Sequence, residues 1–159
     1  MSISTIAINF PPKFWAFFHF EERGKSMHFP IRVYYEDTDA GGVVYHANYL
    51  NFFERARTEF LRQYNFSQQA LFAKSLAFVV KKIEIDYKLP ARLDDLLNVE
   101  TTISEFKKAT LVFKQTLWKQ DICLSEATVT VASVDLVKMK PVAIPDDIRQ
   151  ALQKINFSI

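Results

Sequence analysis

Between Tyr35 and Tyr49 the chain gathers two carboxylates, two adjacent glycines and a histidine: Asp37, Asp39, Gly41, Gly42 and His46. A carboxylate can attack a carbonyl carbon or activate a water. The first turn of a helix offers unpaired N–H groups and the positive end of its dipole, which can hold a developing oxyanion. Together these parts allow acyl transfer to water. They also allow less: an Asp such as Asp39 often only caps a turn with its side chain. Asp37, Asp39 and His46 are permissible metal ligands, but their spacing matches no standard zinc or calcium pattern. The chain has only three glycines, so a pair here marks backbone geometry or a close approach that a Cβ would forbid. Asp37 is expected to form the turn and to stay outside the chemistry.

The flanking residues must position this segment. Ile31 to Tyr35 are β-branched and aromatic types that suit a strand. After the glycines, Tyr49, Phe53, Ala56, Phe60 and Tyr64 recur at helical spacing, with Leu50 and Leu61 widening the stripe. Asn51, Arg55, Thr58 and Arg62 take the other face, and so broad an apolar stripe predicts a long, buried helix. Glu54 and Glu59 are expected to form local ion pairs with Arg55, Arg57 or Arg62. Ser67 suits the cap of a short helix reaching Lys74.

The period then changes to two. Ile83, Ile85, Tyr87 and Leu89 alternate with Glu84, Asp86 and Lys88, as do Leu97, Val99, Thr101 and Ile103 with their polar neighbours. Residues 109–119 and 122–137 are two more β-type segments, with a tight connection at Gln120-Asp121. Pro145-Asp146-Asp147 starts a terminal helix that carries Ile148 and Leu152 on one side. One strand, one long helix and then successive strands predict an α+β domain, an antiparallel sheet curled around one central helix.

With 159 residues and a net charge of +2, the chain suits one domain and lacks the basic stripe of a nucleic-acid binder. No apolar run approaches the ~20 residues that span a bilayer. The single cysteine, Cys123, fits a reducing cytoplasm and reads as a small, strand-borne apolar residue. The aromatic run Phe14 to Phe20 follows Pro11-Pro12 without a basic n-region, which is not the pattern of a secretory signal. Residues 1–26 are expected to be an extension outside a single core domain at 27–159.

The pattern Tyr35-x-Asp37-Thr38-Asp39-x-x-Gly42-x-Val44-Tyr45-His46-x-x-Tyr49, followed by Phe53-Glu54-Arg55-Ala56-Arg57, resembles the signature of the 4-hydroxybenzoyl-CoA thioesterase family. Within that family it is most similar to the acyl-CoA thioesterases associated with the Tol-Pal cell-envelope system. The resemblance implies a hotdog fold and hydrolysis of acyl-CoA to free acid and CoA. It makes Asp39 the catalytic carboxylate, as nucleophile or general base, and the N–H of His46 the group that polarises the carbonyl. It assigns supporting side chains to Tyr35 and His46, an acyl-pocket strand to Phe78, Val79 and Val80, and CoA phosphate contacts to Lys107 and Lys108. It implies no metal and no organic cofactor, and a homodimer or homotetramer with active sites at subunit contacts. It further implies acyl-CoA or an acylated carrier protein as substrate, contact with envelope or phospholipid-synthesis proteins, and a cytoplasmic location reaching the inner face of the membrane.

Plainer roles compete with several of these: core packing for Tyr35, a cap for His46 and a solvated turn for Lys107-Lys108. Two rival functions keep the fold. One is dehydration of a 3-hydroxyacyl thioester, which calls for a His paired with a carboxylate on the central helix. The other is a non-catalytic acyl-binding or envelope scaffold.

Overall fold

The computed structural model describes residues 26–157. Residues 1–25 of the expected extension, with their aromatic run, lie outside the described residues. Strands β1 (Met27–Arg32), β2 (Leu76–Tyr87), β3 (Leu96–Phe106), β4 (Thr110–Lys119) and β5 (Ile122–Asp135) form one antiparallel sheet in the order β1-β3-β4-β5-β2. A short β6 (Lys140–Pro141) pairs with β5. Helix α1 (Asn48–Gln63) connects β1 at one edge of the sheet to β2 at the other, so it must cross the sheet's inner face.

That crossing explains the helix's composition. Tyr49, Phe52, Phe53, Ala56, Phe60 and Leu61 are buried in one cluster with Val99, Leu111, Phe113, Leu117 and Val129 of the sheet. Phe60 meets Phe113 edge-to-face at 5.8 Å. Each such side chain contributes about 1.5–3 kcal/mol when fully buried. The buried face is wider than the expected stripe, since it takes in Phe52 and also Arg57. The helix ends at Tyr64, followed by Asn65 in a left-handed conformation (φ +64°) that satisfies its last carbonyls. The short helix α2 (Gln68–Ala73) is capped as expected, with Ser67 Oγ accepting from the Ala70 N–H at 3.1 Å.

Three register shifts, at Val80/Lys82, Ile103/Glu105 and Leu117/Trp118, interrupt the ladders. An extra residue in one strand bends it and increases its twist, which curls the sheet around α1. Leu97, Val99, Thr101 and Ile103 all point inward, as their alternation predicts. The β4–β5 hairpin turns at Gln120-Asp121 with Gln120 at φ +53°. The terminal helix α3 (Asp146–Phe157) buries Ile148 and Leu152.

The first strand departs from expectation: it runs from Met27 to Arg32 rather than from Ile31 to Tyr35. Val33 leaves the β1–β3 ladder and instead bonds Asp95 O through its N–H (3.0 Å) and the Asp94 N–H through its carbonyl (3.1 Å). Tyr35–Asp37 then form a single 3-10 turn. β-propensity at Tyr34-Tyr35 yields to the Asp37 carboxylate, which takes the Tyr34 N–H at 2.8 Å and folds the chain back.

Candidate active site

The loop from Thr38 to Val44 is a miniature hairpin closed by a bridge between those two residues. Asp39 donates its N–H to Val43 O (2.9 Å) and accepts the Gly42 N–H at its own carbonyl (3.0 Å). Gly42 sits at φ +75°, where an L side chain is strained. The Asp39 Oδ1 accepts the Gly41 N–H at 2.7 Å, and a Cβ on Gly41 would stand 3.1 Å from that oxygen. Both glycines therefore serve Asp39, one by backbone conformation and one by leaving room. Asp39 is exposed, and its Oδ2 accepts nothing from the described residues.

Asp37 has the opposite environment. It is buried at 6% exposure. Its carbonyl accepts the Tyr45 N–H at 2.8 Å and Asn48 Nδ2 at 3.0 Å. Thus Asp37 ties the loop's two arms to the helix start, which is the turn-forming role expected of it.

At that helix start, Asn48 donates its N–H to Tyr45 O (2.8 Å) and Leu50 to Ala47 O (3.2 Å). The N–H groups of His46 and Ala47 have no acceptor among the described residues. They sit at the positive end of α1, where an anion is favoured. The His46 carbonyl accepts the Tyr87 hydroxyl at 2.9 Å. The His46 ring packs between Tyr45 (4.5 Å between centroids) and Tyr87 (6.5 Å, edge-on). Behind it, the Ala91 N–H donates to the Tyr49 hydroxyl (3.0 Å), and the Ala91 carbonyl accepts the Val44 N–H (2.9 Å). Burial pushes the Tyr49 and Tyr87 phenols above their ordinary value, so both are protonated at neutral pH.

Of the residues singled out by sequence, Tyr35, Asp39 and His46 lie on the one segment between β1 and α1. Tyr35 nevertheless points its ring to solvent, at 82% exposure, and contributes a carbonyl that accepts the Thr38 hydroxyl (2.8 Å). Phe78 and Val80 line a pocket of about 120 Å³ beside α1, with Glu54, Arg57, Thr58 and Leu61. Val79, between them, faces the other side of the strand and does not line it. A larger concavity of about 670 Å³ lies across β2, β4 and β5, lined by Glu84, Asp86, Lys114 and Glu126, and includes no residue of the loop.

Lys107 and Lys108 stand apart. They follow the far end of β3, whose eleven residues at ~3.3 Å each separate them by roughly 35 Å from the end that holds Val33 and the loop. Lys107 pairs with Glu105 at 3.0 Å. Their carbonyls accept Arg149 Nη2, at 3.4 Å and 2.9 Å. Within one protomer they and Asp39 are not brought together.

The charges on α1 follow expectation in part. Glu59 pairs with Arg62, and Glu54 accepts the Thr58 hydroxyl at 2.8 Å. Arg57 instead turns inward to Gln115, at 2.8 Å. Tyr87 went unnoticed in the sequence because its alternation assigns it only to a buried strand face. Among the described residues no three His, Cys, Asp or Glu side chains lie close enough to hold a metal ion. Cys123 is half-buried in β5.

On one segment leading into α1 the chain thus carries a carboxylate with one oxygen unengaged and two amides without acceptors, among the described residues, and amides of this kind can bind a carbonyl oxygen. Known proteins share the surrounding chain. The profile of the thioesterase-like superfamily matches residues 33–152. Over 129 residues, 80% of this chain and 95% of the relative, the chain is 62% identical to an acyl-CoA thioesterase, YbgC, of Haemophilus influenzae. It is 56% identical over 120 residues, 75% of this chain and 90% of the relative, to an acyl-CoA thioester hydrolase, also YbgC, of Escherichia coli. A probable thioesterase from Bartonella henselae, solved by crystallography, matches with a TM-score of 0.72 and 40% identity, covering 76% of this chain and 99% of that one.

Proposed function

The chain belongs to the thioesterase-like superfamily and has the hotdog fold, and we infer that it hydrolyses acyl-CoA thioesters, with Asp39 as the reacting carboxylate. The observation that supports the role of Asp39 is its placement: a carboxylate whose Oδ2 is unengaged among the described residues, on a loop that leads directly into a helix start bearing two N–H groups without acceptors among them.

In this reading the thioester carbonyl oxygen takes hydrogen bonds from the His46 and Ala47 N–H groups. Either Asp39 Oδ2 attacks the carbonyl carbon, or it removes a proton from a water that does. The negative charge that forms on oxygen is held by the amides and by the end of α1. Collapse of the tetrahedral intermediate expels CoA as thiolate, which takes up a proton. On the nucleophilic route a water then attacks the Asp39 carboxyl carbon of the mixed anhydride, expelling the product acid and restoring the carboxylate. Single turnover in ¹⁸O-labelled water distinguishes the two, since only that route leaves label in the Asp39 carboxylate. The His46 ring and the solvent-facing Tyr35 ring flank this centre, while Phe78 and Val80 receive the acyl group.

The separation of Lys107-Lys108 from Asp39 bears on assembly. Among the described residues β2 pairs only with β5 and leaves a long outer edge that includes exposed Val79 and Val80. Such an edge is a template for another strand. Two copies joined antiparallel along β2 would set the partner's Leu76 end, and with it the partner subunit's Lys107 and Lys108, beside the Tyr87 end that carries the loop. The basic pair would then reach CoA phosphates from across the contact. We therefore propose a homodimer, or a pair of dimers, as the active species. Light scattering should read two or four copies, and a monomer with full turnover rules this out.

Thiol release measured across acyl-CoA chain lengths tests the activity, with crotonyl- and 3-hydroxyacyl-CoA alongside to detect dehydration. Binding without thiol release from any acyl-CoA refutes the hydrolase. The cytoplasmic location and the tie to the cell envelope stay with this proposal. Cell fractionation and co-purification with envelope components test them.

A further inference from the structure

We infer that Tyr87 is a positioning residue for the reaction, holding the peptide between His46 and Ala47 so that the amides of the helix start face the thioester oxygen. The inference rests on the reading of those amides as oxyanion donors. His46 precedes Ala47, the N-cap of α1, so its carbonyl takes no bond from the helix, where Leu50 donates to Ala47 O (3.2 Å). The His46 oxygen is thereby left to the Tyr87 hydroxyl, at 2.9 Å. Because a peptide is planar and trans, fixing that oxygen fixes the Ala47 N–H on the opposite side. The preceding constraint is the Tyr45 N–H, held by Asp37 O at 2.8 Å. The His46 N–H therefore lies between two anchored groups, one from the loop and one from the sheet.

Tyr87 is itself well braced. It ends β2 opposite Ser125, whose hydroxyl donates to Asp86 O at 2.8 Å. Its ring meets Tyr49 edge-on at 5.2 Å and His46 edge-on at 6.5 Å. Tyr49 in turn receives the Ala91 N–H at 3.0 Å. The same strand carries Phe78 and Val80 in the pocket beside α1, so one rigid element supports both the acyl subsite and the donors. Burial keeps the phenol protonated and able to donate.

The test is Tyr87→Phe, which removes the hydroxyl and keeps the ring. Misaimed donors should lower kcat roughly 10- to 100-fold, with KM for the acyl-CoA and the thermal midpoint little changed. Hydrogen exchange at the His46 and Ala47 amides should accelerate. A merely structural tyrosine would lower the midpoint and leave kcat per folded enzyme intact. Unchanged kcat, or a loss confined to KM, overturns the inference. Should Tyr87→Phe unfold, Tyr49→Phe serves as the second variant. It removes the acceptor of Ala91 and leaves the Tyr87 hydroxyl, so it should cost kcat less than twofold; a drop as large as that expected of Tyr87→Phe overturns the inference. Asp39→Asn is run in parallel. If it stays active, the Asp39 reading fails, while a lowered kcat with faster His46 and Ala47 amide exchange in Tyr87→Phe would still support positioned amides.

Discussion

Helix α1 carries two polar constellations, and they are built on opposite terms. At its start, Asp39, His46 and Ala47 are exposed or half-exposed and keep bonding capacity in reserve. Midway along, Arg57 is buried, and its Nη1 donates to Gln115 Oε1. Gln115 Nε2 donates both to Phe53 O (2.9 Å) and to Thr101 Oγ1 (3.0 Å). Burial pushes the Arg57 guanidinium below its ordinary value, and the Glu54 charge partly restores it. The lesson is one of solvation. A polar group under a helix must be satisfied by the fold or it destabilises the fold, whereas a group left open at the surface is available to substrate.

The largest effect expected at either region is that of Asp39→Asn. It should lower kcat by about 10²–10⁴-fold and leave the thermal midpoint in place, because the amide retains an oxygen for the Gly41 N–H. A variant with both turnover and stability reduced would erase the distinction between the regions. Gln115→Leu should do the reverse. It takes the Gln115 partner from buried Arg57 and from Thr101 Oγ1, at a cost of about 3 kcal/mol in urea unfolding, with kcat per folded molecule unchanged. Adding Arg57→Met should recover most of that loss, since replacing both partners removes the unsatisfied charge.

The glycines sharpen the comparison within the loop. Gly41→Ala presses a methyl on Asp39 Oδ1 and should lower kcat several-fold, roughly 1 kcal/mol in barrier, with no change in stability. Gly42→Ala has open space for its methyl but a φ of +75°, so it should cost about 1 kcal/mol of stability.

The smallest effect concerns Asp95, behind the site. Burial raises its carboxyl, but Lys119 at 2.7 Å and the Arg92 N–H at 2.9 Å outweigh this and hold it below its ordinary value. A lowered folded value stabilises the protein above the unfolded value and is lost as pH falls through the folded one. Lys119→Met should therefore cost ~0.5 kcal/mol at neutral pH, and the difference from wild type should shrink as pH falls below the ordinary carboxylate range. A constant difference across pH would place the effect in packing.

Much of this was legible in the residues. The alternation at Leu97, Val99, Thr101 and Ile103, the aromatic stripe of α1 and the Ser67 cap are local signals, and their periodicity survives in the fold. The motif around Asp39 was legible through its spacing and its glycines. Other features were not. The first strand moved because one carboxylate, Asp37, outcompeted β-propensity at Tyr34. Arg57 looked like a surface partner for Glu54 because the helical period alone does not reveal Gln115 beneath it. Tyr87 looked like any inward strand residue because its partner, His46, is distant in sequence.

By itself, then, the sequence determined which segments after the loop become helix or strand and which carboxylate has the glycines to support it, since both depend on neighbours along the chain. Only the tertiary structure decided that β2 closes the far edge of the sheet, that a tyrosine from that strand anchors the helix start, and that Lys107-Lys108 lie at the opposite end from Asp39. Those relations arise from strand order and sheet curvature. They are set by contacts between residues far apart in the chain, which no local pattern encodes.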